Sequence, residues 1–331
     1  MSRHYIPALD TLRAVSAAGI LLTHASFLTG VGTRVFERFD FFVAVFFALS
    51  GFVLWRRYTP GSNWLGYYRS RFFRIVPAYV VVVLVTAVLL GQVAGLVPTL
   101  LFVQIYVPNA LMPGLTHLWT MCVEVAFYLV LPAMRRLPAG LIILLAVASL
   151  GWAWVPLHVD GVNAQLFPPA WFAWYAVGIV TAEVEAANTT SAFSSTVERR
   201  TLLAHGFGAA LSLAAFVCAV VFLPSGFVHP TPIQFLLRVT CGAVFAAGIL
   251  VPWALWPPHL PAWSQAIGRW SYSLFLWHLP VLTVMFTLTG IRQFSGSVVD
   301  FVVITVLTLA VSVAVSYVSY RWVEQPARYR L

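Results

Sequence analysis

Ala8-Leu-Asp10-Thr-Leu-Arg13-Ala-Val-Ser-Ala-Ala-Gly-Ile-Leu-Leu-Thr-His24-Ala-Ser-Phe-Leu28 is an apolar run of membrane-spanning length that carries three ionisable side chains. About 20 mostly apolar residues are enough for a helix to cross a bilayer. An ionisable group at bilayer depth is costly unless it is paired or faces a polar cavity, so each one is a functional candidate. Arg13 and His24 are eleven positions apart. At about 100° per residue that is roughly three turns plus 20°, which puts both on one helix face about 16 Å apart along the axis. One face of the first helix therefore carries a guanidinium at one end and an imidazole toward the other.

The rest of the chain agrees with this membrane reading. Hydrophobic residues make up 61% of its 331 residues and charged ones 9%, and the mean hydropathy is +0.89. A soluble domain carries about 25% charged residues. The net charge of +9 comes from nineteen basic residues, all arginine. Their clustering in alternate loops fits membrane topology, so no nucleic-acid partner is expected. The three cysteines, Cys122, Cys218 and Cys241, fall in apolar segments without metal-ligand spacing and are read as packing residues. The first apolar run lacks a small-residue cleavage site and is expected to stay as an anchor.

Working outward gives ten candidate spans: 8–29, 39–57, 73–95, 117–134, 138–155, 168–186, 203–223, 234–253, 270–289 and 298–321. The fold class is all-α, a polytopic membrane protein of about ten transmembrane helices. The stretch 96–116 is apolar but broken by Pro98, Pro108 and Pro113, and reads as a re-entrant or interfacial piece. With the N-terminus inside, the cytoplasmic segments hold Arg3, Arg56, Arg57, Arg69, Arg71, Arg74, Arg135, Arg136, Arg199, Arg200, Arg269, Arg328 and Arg330. The outer ones hold Arg34, Arg38 and Arg292. This asymmetry predicts both termini in the cytoplasm. The longest polar stretch, Asn188 to Arg200, is a linker, and residues 1–331 are expected to form one membrane domain without a soluble accessory domain. Trp55, Trp171, Trp253, Trp256 and Trp322 lie near segment ends, as an interfacial belt requires.

Five constellations could carry chemistry. Asp10, Arg13 and His24 form the first. Asp10 and Arg13 can pair at i, i+3; the set reads either as a salt bridge at the inner membrane edge with a histidine bonded to a neighbouring helix, or as a site where a neutral imidazole takes a proton from a hydroxyl. Arg71 and Arg74, with Arg69 just before them, form the second. They read either as a positive-inside cluster or as guanidinium forks for phosphate oxygens. The third is His117, Glu124 and Tyr128, which share a face of the fourth span. Glu124 needs a partner, which Arg13 or His24 could supply, or it forms a purely structural pair. His278, just ahead of Pro280 in the ninth span, is the fourth, a cavity lining or a satisfied structural histidine. Ser50 in Phe46-Phe-Ala-Leu-Ser50-Gly51-Phe52 is the fifth, read as packing first and as a cavity hydroxyl second.

Taken in order, these pieces resemble the acyltransferase-3 family of integral membrane O-acyltransferases. The resemblance rests on Leu9-Asp10-Thr-Leu-Arg13-Ala with its spacing to His24, on Phe46-Phe-Ala-Leu-Ser50-Gly51-Phe52, and on Arg71-Phe-Phe-Arg74-Ile-Val-Pro77. It continues through His117-Leu-Trp119, Val123-Glu124 with Phe127-Tyr128, Ser271-Tyr272-Ser273 with Trp277-His278, and Trp322-Val323-Glu324-Gln-Pro326. It implies ten core helices, a cytoplasmic acyl-CoA donor (acetyl-CoA by default) and no metal. The acceptor it implies is a hydroxyl of a carbohydrate, a glycolipid or a glycosylated natural product. It makes His24 the catalytic position and Arg13 an essential one, with Glu124 and Asp10 beside them. Arg71, Arg74 and Arg69 would hold the nucleotide phosphates, and Ser50, His117, Tyr128 and His278 would line the cavity. Where the family often has two adjacent acids, Glu124 here is followed by Val125. Localisation would be a plasma membrane, a bacterial inner membrane in the first instance. A direct attack and a transient acyl-His24 both fit. The rival class is a proton-coupled transporter or a non-catalytic export partner, because buried Asp, Glu and His lines also build proton relays.

Overall fold

Inside a bilayer every backbone N–H and C=O must find its partner within the protein, so apolar segments of bilayer length become helices. A computed structural model describes residues 5–155, 158–159, 161–188, 197–226 and 228–328. The readings on Arg3, Arg330 and the linker residues 189–196 lie outside them, as do the side chains of Arg199 and Arg200.

Eleven main helices follow in chain order: α1 Ala8–Thr29, α2 Phe41–Arg57, α3 Trp64–Leu90, α4 Trp119–Met134, α5 Ala139–Ser149, α6 Phe172–Asn188, α7 Val197–Phe222, α8 Pro232–Leu255, α9 Ala262–Arg269, α10 Ser271–Thr289 and α11 Val298–Ser319. Among the described residues the only strands are the two-residue antiparallel pair His158–Val159 and Val162–Asn163. The chain is an all-α, multi-pass membrane protein.

Among the described residues, eight helical segments are long and apolar enough to cross a membrane. The other two expected spans also form helices, but shorter ones. Ala139–Trp154 falls below the length of the eight, and α6 has 17 residues, about 25 Å at 1.5 Å per residue. A hydrocarbon core is about 30 Å thick. The stretch 96–116 is no span: Leu96–Leu100 is a single short helix, and Phe102 and Asn109 turn the chain at positive φ. It is tied down by Tyr79, whose hydroxyl donates to the Thr99 carbonyl (2.7 Å), and by Gln104, whose amide donates to the Leu118 carbonyl (3.1 Å).

α3 begins at Trp64, well before the expected 73. Asn63 starts it by accepting the backbone N–H groups of Leu65 and Gly66 at 3.0 and 3.1 Å, an N-cap that hydropathy does not register. The polar turns so gained are held on α4, where Tyr67 and Tyr68 donate to the carbonyls of Tyr128 and Leu129. Small residues set the helix contacts. A Cβ on Gly178 of α6 would come within 1.9 Å of the Ala48 carbonyl oxygen of α2, and one on Gly51 within 2.4 Å of the Tyr175 carbonyl oxygen. A Cβ on Gly268 of α9 would lie 1.9 Å from the Asp10 carbonyl oxygen, so the short helix seats directly on the start of α1. At the α2–α6 end, Arg56 pairs with Glu185 (2.6 Å) and Arg135 with Glu183 (3.3 Å). α1 runs through the middle of the bundle, against α2, α9, α10 and α11.

Candidate active site

Three segments aim imidazoles at one another. His24 comes from α1, His117 from the turn before α4 and His278 from the middle of α10. The His24 and His278 rings stack with centroids 5.2 Å apart. His117 stands edge-on to both, at 6.3 Å from His24 and 4.7 Å from His278. His278 is fully buried, and its Nδ1 lies 2.6 Å from the Phe275 carbonyl oxygen. An imidazole nitrogen facing a carbonyl must carry the proton. Nε2 of His278 is then an acceptor, and it is buried without a hydrogen-bond partner among the described residues. Among the described residues, neither ring nitrogen of buried His117 finds a hydrogen-bond partner of standard geometry. His24 is the least enclosed of the three and faces a cavity. Among the described residues no group of three or more His, Cys, Asp or Glu is arranged to hold a metal ion.

Three cavities follow α1 from end to end. The first, about 330 Å³, lies at the N-terminal end of α1 and is lined by Tyr5, Asp10, Arg13, Arg56, Arg57, Arg74, Arg269 and Arg328 among others. The second, about 80 Å³, holds Arg13, Ser50, Arg71, Arg74, Glu124 and Tyr128. Arg13, Val53, Arg74, Ser271 and Tyr272 border both. The third, about 520 Å³, holds His24, His117, Trp119, Glu37, Arg38, Asp40 and Arg238. It meets the second at Val43, Thr120 and Phe275, which line both. Phe275 packs edge-on against His117 and tilted against His278, with centroids 5.3 and 5.6 Å away.

The predicted residues thus fall at successive depths. Asp10 is buried and binds the Arg13 guanidinium at 2.6 Å, while the Tyr5 hydroxyl donates to its other oxygen. Glu124 does not pair with Arg13 or His24. It accepts hydrogen bonds from Ser50 (3.0 Å) and from Tyr128, two hydroxyls that sequence spacing could not choose between as partners. Ser50 is therefore a cavity hydroxyl despite its small-residue neighbourhood. Arg71 and Arg74 enter the middle cavity together, as an i, i+3 pair should. Arg69 turns outward, with its guanidinium 5.9 Å from the Phe73 ring, and lines none of the three cavities.

Two features escaped sequence reasoning. The turn before α2 sends Glu37, Arg38 and Asp40 into the third cavity, where Asp40 pairs with Arg238 and Arg38 donates to the Pro224 carbonyl at 2.6 Å. Charges between two spans look like ordinary loop residues, so nothing in the spacing marks them. The other is the burial and pairing of Glu324, which the sequence shows only as part of its closing motif. The chain forms a π-helical turn at Tyr320–Glu324, and the buried Glu324 carboxylate accepts from Ser273 at 2.9 Å and from Arg328. Ser273 and Glu324 belong to the last two motifs of the sequence, and this bond joins them.

Comparison with known proteins bears on the same segments. The family model described as Acyltransferase domain (Acyl_transf_3) matches residues 6–318. The chain is similar to Peptidoglycan O-acetyltransferase OatA of Listeria monocytogenes, with 22% identity across 99% of this chain and 56% of that protein. It is similar to O-acetyltransferase OatA of Staphylococcus aureus, with 23% identity across 99% of this chain and 58% of that one. A shorter stretch, 29% of this chain and 28% of the other, is 36% identical to Acyltransferase MdmB of Streptomyces mycarofaciens. The chain spans about half the length of the OatA relatives it matches. No solved structure gives a significant match.

Proposed function

The chain belongs to the acyltransferase-3 family, and from that premise we propose that it is a membrane-embedded O-acyltransferase. It moves an acyl group, acetyl in the first instance, from acyl-CoA to a hydroxyl of a carbohydrate, a glycolipid or a glycosylated natural product. It works in the plasma membrane, a bacterial inner membrane in the first instance, with both termini in the cytoplasm. The observation that carries this reading is the position of His24: it faces a cavity of about 520 Å³ toward one end of the bundle, and two arginine-bearing cavities that share lining residues lead from the other end to Phe275, which borders that cavity too. Two substrates of unlike chemistry could approach one imidazole from opposite sides.

Acyl-CoA enters at the arginine end. Arg71 and Arg74 hold the diphosphate with parallel guanidinium forks. The pantetheine arm runs along the α1 face from Arg13 toward His24, about 16 Å of helix. The acceptor occupies the third cavity, where Asp40, Arg38, Arg238 and the Trp119 ring offer the mixed polar and aromatic surface that a sugar takes. His24 accepts the proton of the acceptor hydroxyl as its oxygen attacks the thioester carbonyl. The carbon–sulfur bond breaks, coenzyme A leaves as thiolate, and the proton on His24 returns to that sulfur. His278, tethered to the Phe275 carbonyl, holds the His24 ring by stacking. Asp10 fixes Arg13, and Glu124 with Ser50 and Tyr128 forms the polar wall past which the donor runs. Incubating the purified protein with labelled acetyl-CoA and membrane glycolipid extracts tests the reading. Label should appear in a glycolipid species by mass spectrometry, and its absence across acceptor classes would overturn the proposal.

A further inference from the structure

The first cavity, at the N-terminal end of α1, holds more positive charge than the diphosphate grip requires. Six arginines line it: Arg13, Arg56, Arg57, Arg74, Arg269 and Arg328. Three are neutralised by carboxylates, Arg13 by Asp10, Arg56 by Glu185 and Arg328 by Glu324. Arg57, Arg74 and Arg269 have no carboxylate within salt-bridge distance among the described residues. They come from three separate elements, the end of α2, the first half of α3 and the end of α9. Arg74 acts unfavourably on both Arg57 and Arg13, and the Asp10 carboxylate offsets part of this at each. Topology alone asks for positive charge on the inner side. It does not ask for guanidiniums to be gathered from distant segments around one cavity, where they repel one another. Such an arrangement gains when a polyanion sits among them.

We infer that Arg57 and Arg269 form a second phosphate site, which takes the terminal phosphate monoester of a nucleotide whose diphosphate lies on Arg71 and Arg74. The assignment rests on the acyl-CoA reading and deepens it. Order along the donor fixes which group goes where. With the thioester at His24 and the diphosphate at the middle cavity, the next charged group outward is the 3′-phosphate of the ribose. Arg57 and Arg269 are the cations without a carboxylate on the outer side of Arg74. Arg71 and Arg74 offset the diphosphate, and Arg57 and Arg269 meet the monoester, whose charge is about −1.5 to −2 near neutral pH. Arg328, committed to Glu324, and Arg56, committed to Glu185, complete the wall without adding net charge. The site would make the enzyme read the nucleotide end of its donor and refuse thioesters that lack the 3′-phosphate.

The test is calorimetric titration of the full-length protein in detergent with coenzyme A and with 3′-dephospho-coenzyme A. The wild type should bind coenzyme A at least tenfold more tightly than the dephospho form. The double variant R57Q/R269Q should bind both equally, at the wild type's affinity for the dephospho form. R57K/R269K, which keeps the charge but loses the fork, should recover part of the difference. R71Q should weaken both ligands together. Equal binding of the two ligands by the wild type, or discrimination kept in R57Q/R269Q, would overturn the second site and leave the donor reading intact. Failure of the wild type to bind either ligand would remove the donor reading and this site with it.

Discussion

His24 keeps company that its own segment does not reveal. The spacing of Arg13 and His24 on one face is legible in the sequence because a single helix fixes it. The two other histidines are legible there only as separate candidates. That their rings close to within 4.7–6.3 Å depends on how α1, α4 and α10 pack, and sequence spacing within one helix does not encode that. Glu124 teaches the same lesson from the other side: an acid in an apolar run must have a partner, yet which partner is a matter of packing. His278→Ala should remove the stacking surface behind His24 and lower kcat roughly tenfold, about 1.4 kcal/mol of barrier, with little change in the acyl-CoA KM. His278→Asn, which keeps a donor near the Phe275 carbonyl, should recover part of the loss. Steady-state kinetics of the two variants check this, and a pure KM effect would speak against a positioning role.

At the scale of the element, hydropathy reveals the helices but not their ends. α1 spans Ala8–Thr29, as expected, because apolar run and helix coincide. α3 starts early because Asn63 caps it and because tyrosines and arginines continue a helix beyond the apolar stretch. The stretch 96–116 is readable as broken, since its prolines show in the sequence. Close contact between α2 and α6 gives a stability prediction. Gly178→Val should destabilise the bundle by about 1–3 kcal/mol, the usual cost of overpacking, seen as a lower Tm in detergent. An unchanged Tm would mean that the helices can part there. Phe275 gives a functional prediction: Phe275→Ala should join the second and third cavities and raise hydrolysis of acyl-CoA in the absence of acceptor. An assay of free thiol release checks this, and a rate no higher than the wild type's would show that the ring is not the partition.

For the whole molecule, the positions of the arginines along the chain are enough to tell one end of the bundle from the other. Arg56, Arg57, Arg74, Arg269 and Arg328 gather around one cavity at the N-terminal end of α1. Arg38 and Arg238 lie by the third cavity, at the other end of that helix. On the proposed reading, the same segregation separates the end that takes the donor phosphates from the end that takes the acceptor. Charge counting reveals the asymmetry but not the cavities, which form only when the helices assemble. Reporter fusions at both ends should place both termini in the cytoplasm, and a terminus on the outside would break the link between the arginine end and a cytoplasmic donor. The central claim is that the imidazole of His24 performs the transfer, and acetyl transfer by His24→Ala beside the wild type, with acetyl-CoA binding measured on the same preparation, tests it most directly. The variant should bind acetyl-CoA as the wild type does while its transfer rate falls by about 10²–10⁴-fold, the usual worth of a general base. Transfer at the wild-type rate would contradict the account.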